Sequence, residues 1–402
     1  MQAQQRIYSL PCWRLTRWLA DCGPEVPDDI RVALIGNLYG TLPIFVGGVV
    51  NTLLVAAAIT LRSPTPPFVA WLLLEIAICL ARLAVLLVAH REALEHRSTP
   101  TDINLLLSVM WSGSVGYGAF VSLATGDWVA ATLACVSAGA MVGGICFRNF
   151  SAPRLSGAMI TLSLGPTLPG ALIAGEPLML VVFLQIPMYL VAMTMASFRL
   201  NKMLIATMCA ERQNDYRARH DPLTGLANRA GLIGALEARL AAPRGRDETL
   251  ALLYLDLDGF KIVNDTHGHA AGDRLLENVA ERMRSMLRDG DLPARLGGDE
   301  FVVLTADCTA EEAACFGHRL IDAIGTPYDI GLGLPARIGV SIGIAMAPEH
   351  GREASSLLRA ADAALYEAKS TGGSRCRLAL PGVPVARLCR QQDASASESA
   401  AA

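Results

Sequence analysis

Between Val32 and Arg199 the chain carries few charged residues and a succession of long apolar runs, and any fold has to accommodate them. A helix crossing a bilayer core needs roughly 20 apolar residues. Six stretches reach or approach that length, at about 34–60, 67–89, 104–125, 128–147, 156–175 and 178–198. The third to fifth are rich in Gly and Ser, which allows helices to pack closely in lipid, and the fifth contains Pro166 and Pro169, which predict a kink. After Arg199 the composition is that of an ordinary aqueous domain. The 402 residues, 52% hydrophobic and only 18% charged, thus divide into a predicted all-α transmembrane bundle and a predicted α/β (α+β) domain.

Basic residues predict the orientation of the spans. Arg6, Arg14, Arg17 and Arg31 precede the first span, Arg91 and Arg97 follow the second, Arg148 and Arg154 follow the fourth, and Arg199 and Lys202 follow the sixth. The alternate loops hold Arg62 alone or no basic residue. Both termini are therefore expected in the cytoplasm of a multi-pass membrane protein, with lipid as a partner. Trp71 and Trp128 are expected at the outer interface. Glu75 and Arg82 fall inside the second span, seven residues apart and on one helical face. They read either as a ligand site in the bundle, or as an internal polar contact with Arg82 snorkelling.

The net charge of −3 argues against a nucleic-acid partner. The ten cysteines form no CxxC pair and no zinc-ligand spacing, which predicts reduced, mostly buried thiols. The first residues, MQAQQRIYSLPCWRLTRW, hold no apolar core, so no cleavable signal peptide is expected. The expected boundaries are a cytoplasmic segment 1–32, spans within 33–198, a linker helix 199–219, a domain 220–380, and a polar, disordered tail 381–402. The linker lacks Pro and Gly and would continue the sixth span, either relaying dimer geometry or acting as a tether.

In the aqueous half, helix patterns at 228–241, 270–288, 309–324 and 354–371 alternate with strand patterns at 250–256, 292–296, 301–305 and 336–346. Elements of this size predict a sheet packed by helices. The run Ala251–Asp256 is apolar almost throughout, as a strand covered on both faces would be. Asp256 ends it, where a carboxylate needs a cation to meet it. Leu296-Gly-Gly-Asp-Glu-Phe301 sets two glycines between strand patterns, a hairpin signal that would project Asp299 and Glu300 and let a nucleotide approach the backbone. Carboxylates from two neighbouring strands suit Mg²⁺, which also takes substrate phosphates.

The motifs resemble those of the GGDEF family over about 160 residues. Asp221-Pro-Leu-Thr-Gly-Leu-Ala-Asn-Arg229, Asp256-Leu-Asp-Gly-Phe-Lys261, Asn264-Asp265, Gly268-His269, Gly272-Asp273, Arg295-Leu-Gly-Gly-Asp-Glu-Phe301, Ser341-Ile-Gly-Ile344 and Ala361-Asp-Ala-Ala-Leu-Tyr-Glu-Ala-Lys369 occur in the family's order and spacing. The resemblance implies a central mixed sheet flanked by helices, similar to the nucleotidyl cyclase and polymerase palm. It implies a diguanylate cyclase that joins two GTP into cyclic di-GMP across a homodimer, with Mg²⁺, or Mn²⁺ as an alternative. Asp256, the Leu257 carbonyl, Asp299 and Glu300 would hold metal, and Asp299 would take the proton of the attacking 3′-hydroxyl. Lys261 would neutralise triphosphate charge, the backbone of Gly259 and Phe260 would cradle phosphates, and Lys369 would bind substrate. Asn264 and Asp273 would read guanine, helix capping being the alternative for both. His269 matches a family position, with a packed histidine as its alternative. Arg288-Asp-Gly-Asp291 matches the family's inhibitory product site, the alternative being an exposed turn with a charge pair. The family usually has an Arg where this chain has Gly373, so one triphosphate contact is missing or comes from Arg375 or Arg377. A catalytically silent binding module and a transporter with a regulatory domain are the competing readings. The intact acids oppose the first, and the scarcity of charge in the spans opposes the second.

Overall fold

The computed structural model describes residues 7–40, 42–242, 249–330 and 335–380. The expected disordered tail, 381–402, lies outside them. The chain divides into two compact units, Met1–Glu211 and Arg212–Ala402.

The first unit is helical: α1 (Arg14–Leu19), α2 (Asp28–Tyr39), α3 (Leu42–Arg62), α4 (Pro66–Leu94), α5 (Thr101–Ala124), α6 (Trp128–Asn149), α7 (Pro153–Leu164) and α8 (Thr167–Ala174), then a 3₁₀ turn at Pro177–Val181 and the start of α9 (Val182–Arg219). By length and composition six helical segments are able to cross a membrane. Their large apolar side chains face outward in number, among them Leu54, Leu61, Leu80, Val136, Phe147, Leu178 and Leu184. An aqueous surface does not tolerate so much contiguous apolar area.

Three expectations are corrected here. The first apolar run does not begin at 34. Gly40, with φ +53, stops α2, and the span-length helix starts at Leu42. Leu34, Ile35, Leu38 and Tyr39 are buried in the unit on α2 instead. Trp71 does not face outward, as an aromatic anchor among lipid headgroups would. It is buried, and its ring lies so close to Gly118 that a Cβ there would overlap it. Only three of the nine described cysteines are buried, Cys79, Cys146 and Cys308, although all nine are free thiols. The fifth span does bend, because α7 ends before Gly165 and Pro166 caps α8.

In the second unit the sheet runs β2–β3–β1–β4–β5, antiparallel except for the β4–β5 pair. Its strands are β1 (Leu250–Asp258), β2 (Leu292–Gly297), β3 (Glu300–Ala306), β4 (Gly339–Ala347) and β5 (Cys376–Leu378). The helices are α10 (Arg229–Ala241), α11 (Phe260–His267), α12 (His269–Met286), α13 (Ala310–Ile324) and α14 (Ala354–Ser370). Side chains alternate along β1. Ala251, Leu253, Leu255 and Leu257 enter a core with α11, α12 and α13. Leu250, Leu252 and Tyr254 enter a second core with α10 and α14. The continuous apolar run is thus a central strand buried on both faces. Gly343 of β4 lets α14 cross close to the sheet, since a Cβ there would collide with the Ala361 carbonyl. That approach carries the C-terminal end of α14 to the end of β1.

Candidate active site

The acids converge. The antiparallel register sets Asp256 directly opposite Glu300, so both side chains leave the same face of the sheet, the α14 face. The Leu257 N–H donates to the Asp299 carbonyl at 3.2 Å, which fixes the β2–β3 turn against the end of β1. Gly297 and Gly298 turn the hairpin with φ of +148 and +53, values that other residues adopt only with strain. Arg295 pins the turn by donating twice to the Gly298 carbonyl, at 3.1 and 2.9 Å, and pairing with Asp221 at 3.0 Å. Burial pushes the Asp221 carboxyl up. The Thr224 hydroxyl and N–H, with Arg295, outweigh burial and hold it below the usual carboxylate range. The opening motif and the signature hairpin are therefore joined through one ion pair.

Asp256 is half-buried at the strand end. Burial pushes its carboxyl above the ordinary range, Lys369 opposes the shift, and the charges of Asp299 and Asp258 add to it. The Lys369 Nζ lies 2.6 Å from the Asp256 Oδ1, so this lysine meets an acid here. Asp258, two residues further on the same face, accepts the Ser341 hydroxyl at 2.9 Å and the Ser374 N–H at 2.8 Å. Gly373 lies against the same carboxylate, where a Cβ would come within 3.2 Å of it, so Asp258 ties β4 to the turn between α14 and β5. Sequence reasoning missed Asp258, Ser341 and Ser374 as a unit, although the period of two along Asp256-Leu-Asp258 was the available signal. Tyr254 was missed as well. Burial and the neighbouring Glu300 push its phenol up to about 12.

Past Asp258 the chain passes through Gly259, with φ +86, into the N-terminus of α11. Backbone N–H groups at a helix N-terminus favour phosphate. Phe260 anchors this turn in the core, and Lys261 is exposed beside it. Asn264 sits within α11 and Asp273 within α12, and neither caps a helix, since Gly259 and Gly268 hold those positions without a side-chain hydrogen bond. The Asn264 side chain lies against Gly272, where a Cβ would overlap its Oδ1. His269 and Asp273 are exposed. At the other edge, Arg288 pairs with Asp291 at 3.5 Å and also donates to Thr305 and the Ala306 carbonyl. The Asp291 side chain is nearly buried while Arg288, Asp289 and Gly290 are exposed, so the segment is an exposed turn held by a charge pair.

Among the described residues no group of three or more His, Cys, Asp or Glu is gathered as a metal cluster. The donor set is nonetheless all oxygen, and like charges crowd Asp256. Such chemistry fits a hard divalent cation, whose charge would relieve that crowding.

Residues 218–375 match the family described as diguanylate cyclase, GGDEF domain. The chain is 42% identical over 190 residues to the probable diguanylate cyclase DgcE of Escherichia coli, covering 47% of this chain and 16% of that protein. It is 42% identical over 165 residues to the diguanylate cyclase TpbB of Pseudomonas aeruginosa, covering 41% of this chain and 38% of that one. A solved structure of the TpbB GGDEF domain aligns at 42% identity with a TM-score of 0.39, covering 40% of this chain and 94% of that one. The curated relatives are thus spanned over well under two thirds of their length.

Proposed function

We infer, because residues 218–375 are a GGDEF domain of the diguanylate cyclase kind, that the chain condenses two GTP into cyclic di-GMP and two pyrophosphates. The observation that supports this most is the register that sets Asp256 opposite Glu300 beside the Asp299 turn. In this reading each domain holds one GTP, and two domains face each other in a homodimer. Each 3′-hydroxyl oxygen attacks the other nucleotide's α-phosphorus, a P–O bond forms, and pyrophosphate leaves. Asp256, the Leu257 carbonyl, Asp299 and Glu300 would hold Mg²⁺, or Mn²⁺. A bound divalent ion polarises the phosphate and lowers the pKa of the hydroxyl.

Asp299 accepts the hydroxyl proton. Lys261 balances charge building on the triphosphate. The N-terminal amides of α11, from Gly259 onward, bind phosphate oxygens. Asp273 accepts from N1–H and the N2 amine of guanine, a pair adenine does not offer, and Asn264 adds a second edge contact. Lys369, 2.6 Å from Asp256 here, would bind the triphosphate when Asp256 is engaged with a metal ion. Arg288 and Asp291 bind product, Arg288 on phosphate or stacked on guanine. The six apolar helices anchor the chain in the bacterial inner membrane, with both termini in the cytoplasm, where GTP is found.

Full-length protein in detergent, given GTP and Mg²⁺, is expected to yield cyclic di-GMP and pyrophosphate by mass spectrometry, and chelator is expected to stop it. GTP left unconsumed at high protein concentration would favour a silent binding module. In the same assay Arg288→Ala should raise the product concentration that halves the rate by about tenfold, and an unchanged inhibition curve would remove the inhibitory site.

A further inference from the structure

The first unit buries a guanidinium that forms no close ion pair among the described residues. Arg82, on α4, is only 4% exposed. Its guanidinium carbon lies over two aromatic rings, 5.1 Å from the Phe45 centroid and 4.5 Å from the Trp111 centroid. A ring face offers the cation attraction but no lone pair in place of a hydrogen-bond acceptor, so the N–H donors still need acceptors. The Arg82 Nε finds none among the described residues. Glu75, on the same face of α4, does not serve. Its carboxylate is fully buried and is occupied by the Trp111 indole N–H at 2.9 Å and the Ser114 hydroxyl at 2.6 Å.

A second cation comes to the same place. Arg148, near the end of α6, sets its guanidinium carbon 5.2 Å from the Phe45 ring. Phe45, Arg82, Trp111 and Arg148 line one cavity of about 40 Å³, together with Gly144 and Asn149. That volume admits a group of only a few heavy atoms. Two guanidinium groups at one small cavity, one of them buried and short of an acceptor, carry a desolvation cost that an anion would offset.

We propose that Arg82 and Arg148 form a binding site for a small carboxylate-type oxyanion inside the helical unit, with Phe45 and Trp111 holding the Arg82 fork in position. The inference is independent of the cyclase reading, because every residue in it lies in the first unit. The size of the cavity favours a small free anion over a lipid headgroup phosphate.

The chain's five tryptophans, Trp13, Trp18, Trp71, Trp111 and Trp128, all lie in the first unit, so tryptophan emission reports on that unit alone. The test titrates sodium acetate into the full-length chain in nanodiscs of neutral lipid. Ionic strength is held with sodium chloride, whose single spherical anion cannot bridge two guanidinium groups with paired oxygens. A saturable change in emission is expected. It should be abolished in Arg82→Gln, weakened about tenfold in Arg148→Gln, and kept in weaker form in Arg82→Lys, which retains charge but loses the fork. Equal titrations for the parent and Arg148→Gln would overturn the site, even where Arg82→Gln fails to fold. A response that appears only in nanodiscs containing anionic phosphatidylglycerol would overturn it in favour of a lipid phosphate.

Discussion

The two units handle charge in opposite ways. In the sheet unit, acids collect at the open end of β1, half-exposed, and each meets a lysine, a hydroxyl, a turn amide or another acid. In the helical unit, Glu75 and Arg82 are buried together in the span, one saturated by neighbours and the other lying over aromatic rings. Apolar residues differ in the same way. Leu255 is wholly buried between the sheet and its helices, whereas Leu184 on α9 is 66% exposed. Identical side chains therefore have different meanings in the two units. Exposure of leucine marks a lipid-compatible surface in one, and burial of leucine fixes the strand that aims the acids in the other.

Substitutions sharpen this contrast. Leu255→Ala should destabilise the sheet unit by about 2–5 kcal/mol through lost burial and a cavity. Leu184→Ala should change the stability of the helical unit by less than about 0.5 kcal/mol. Comparable losses for both, in thermal unfolding of the purified chain, would break the comparison. A smaller effect concerns the ion pair behind the signature turn. The folded pKa of Asp221 is held down, so its contribution is present above the unfolded carboxylate pKa and is lost as pH falls through the lower folded value. Asp221→Asn should cost about 1 kcal/mol near neutrality. The gap between it and the parent should close as the solution is acidified below the usual carboxylate range. A gap that persists at low pH would show that the carboxylate charge is not what pins Arg295.

Much of the sheet unit was legible because its signals are local. The apolar run into Asp256 gave β1, the glycine pair gave the hairpin, and motif spacing gave the residues that face each other across β1 and β3. What escaped depends on contacts between distant segments. The strand β5 has three residues and exists through pairing with β4, where the Ile342 N–H donates to the Arg375 carbonyl at 2.8 Å. The short α11 was hidden inside a motif read for chemistry. In the helical unit, hydropathy found the spans but not the break at Gly40, which a single backbone angle decides. Nor could it tell a tryptophan at an interface from Trp71 packed on Gly118. The placement of Arg82 over Phe45 and Trp111 joins three helices, and no spacing along the chain announces it.

The most direct test of the account is the magnesium dependence of cyclic di-GMP formation by full-length Asp256→Asn and Glu300→Gln, with Asp299→Asn alongside. If these acids share a cation with the nucleotide, each variant loses turnover by at least about a hundredfold, and raising Mg²⁺ restores little of it. Near-parental rates in Asp256→Asn at ordinary Mg²⁺ would contradict that shared role.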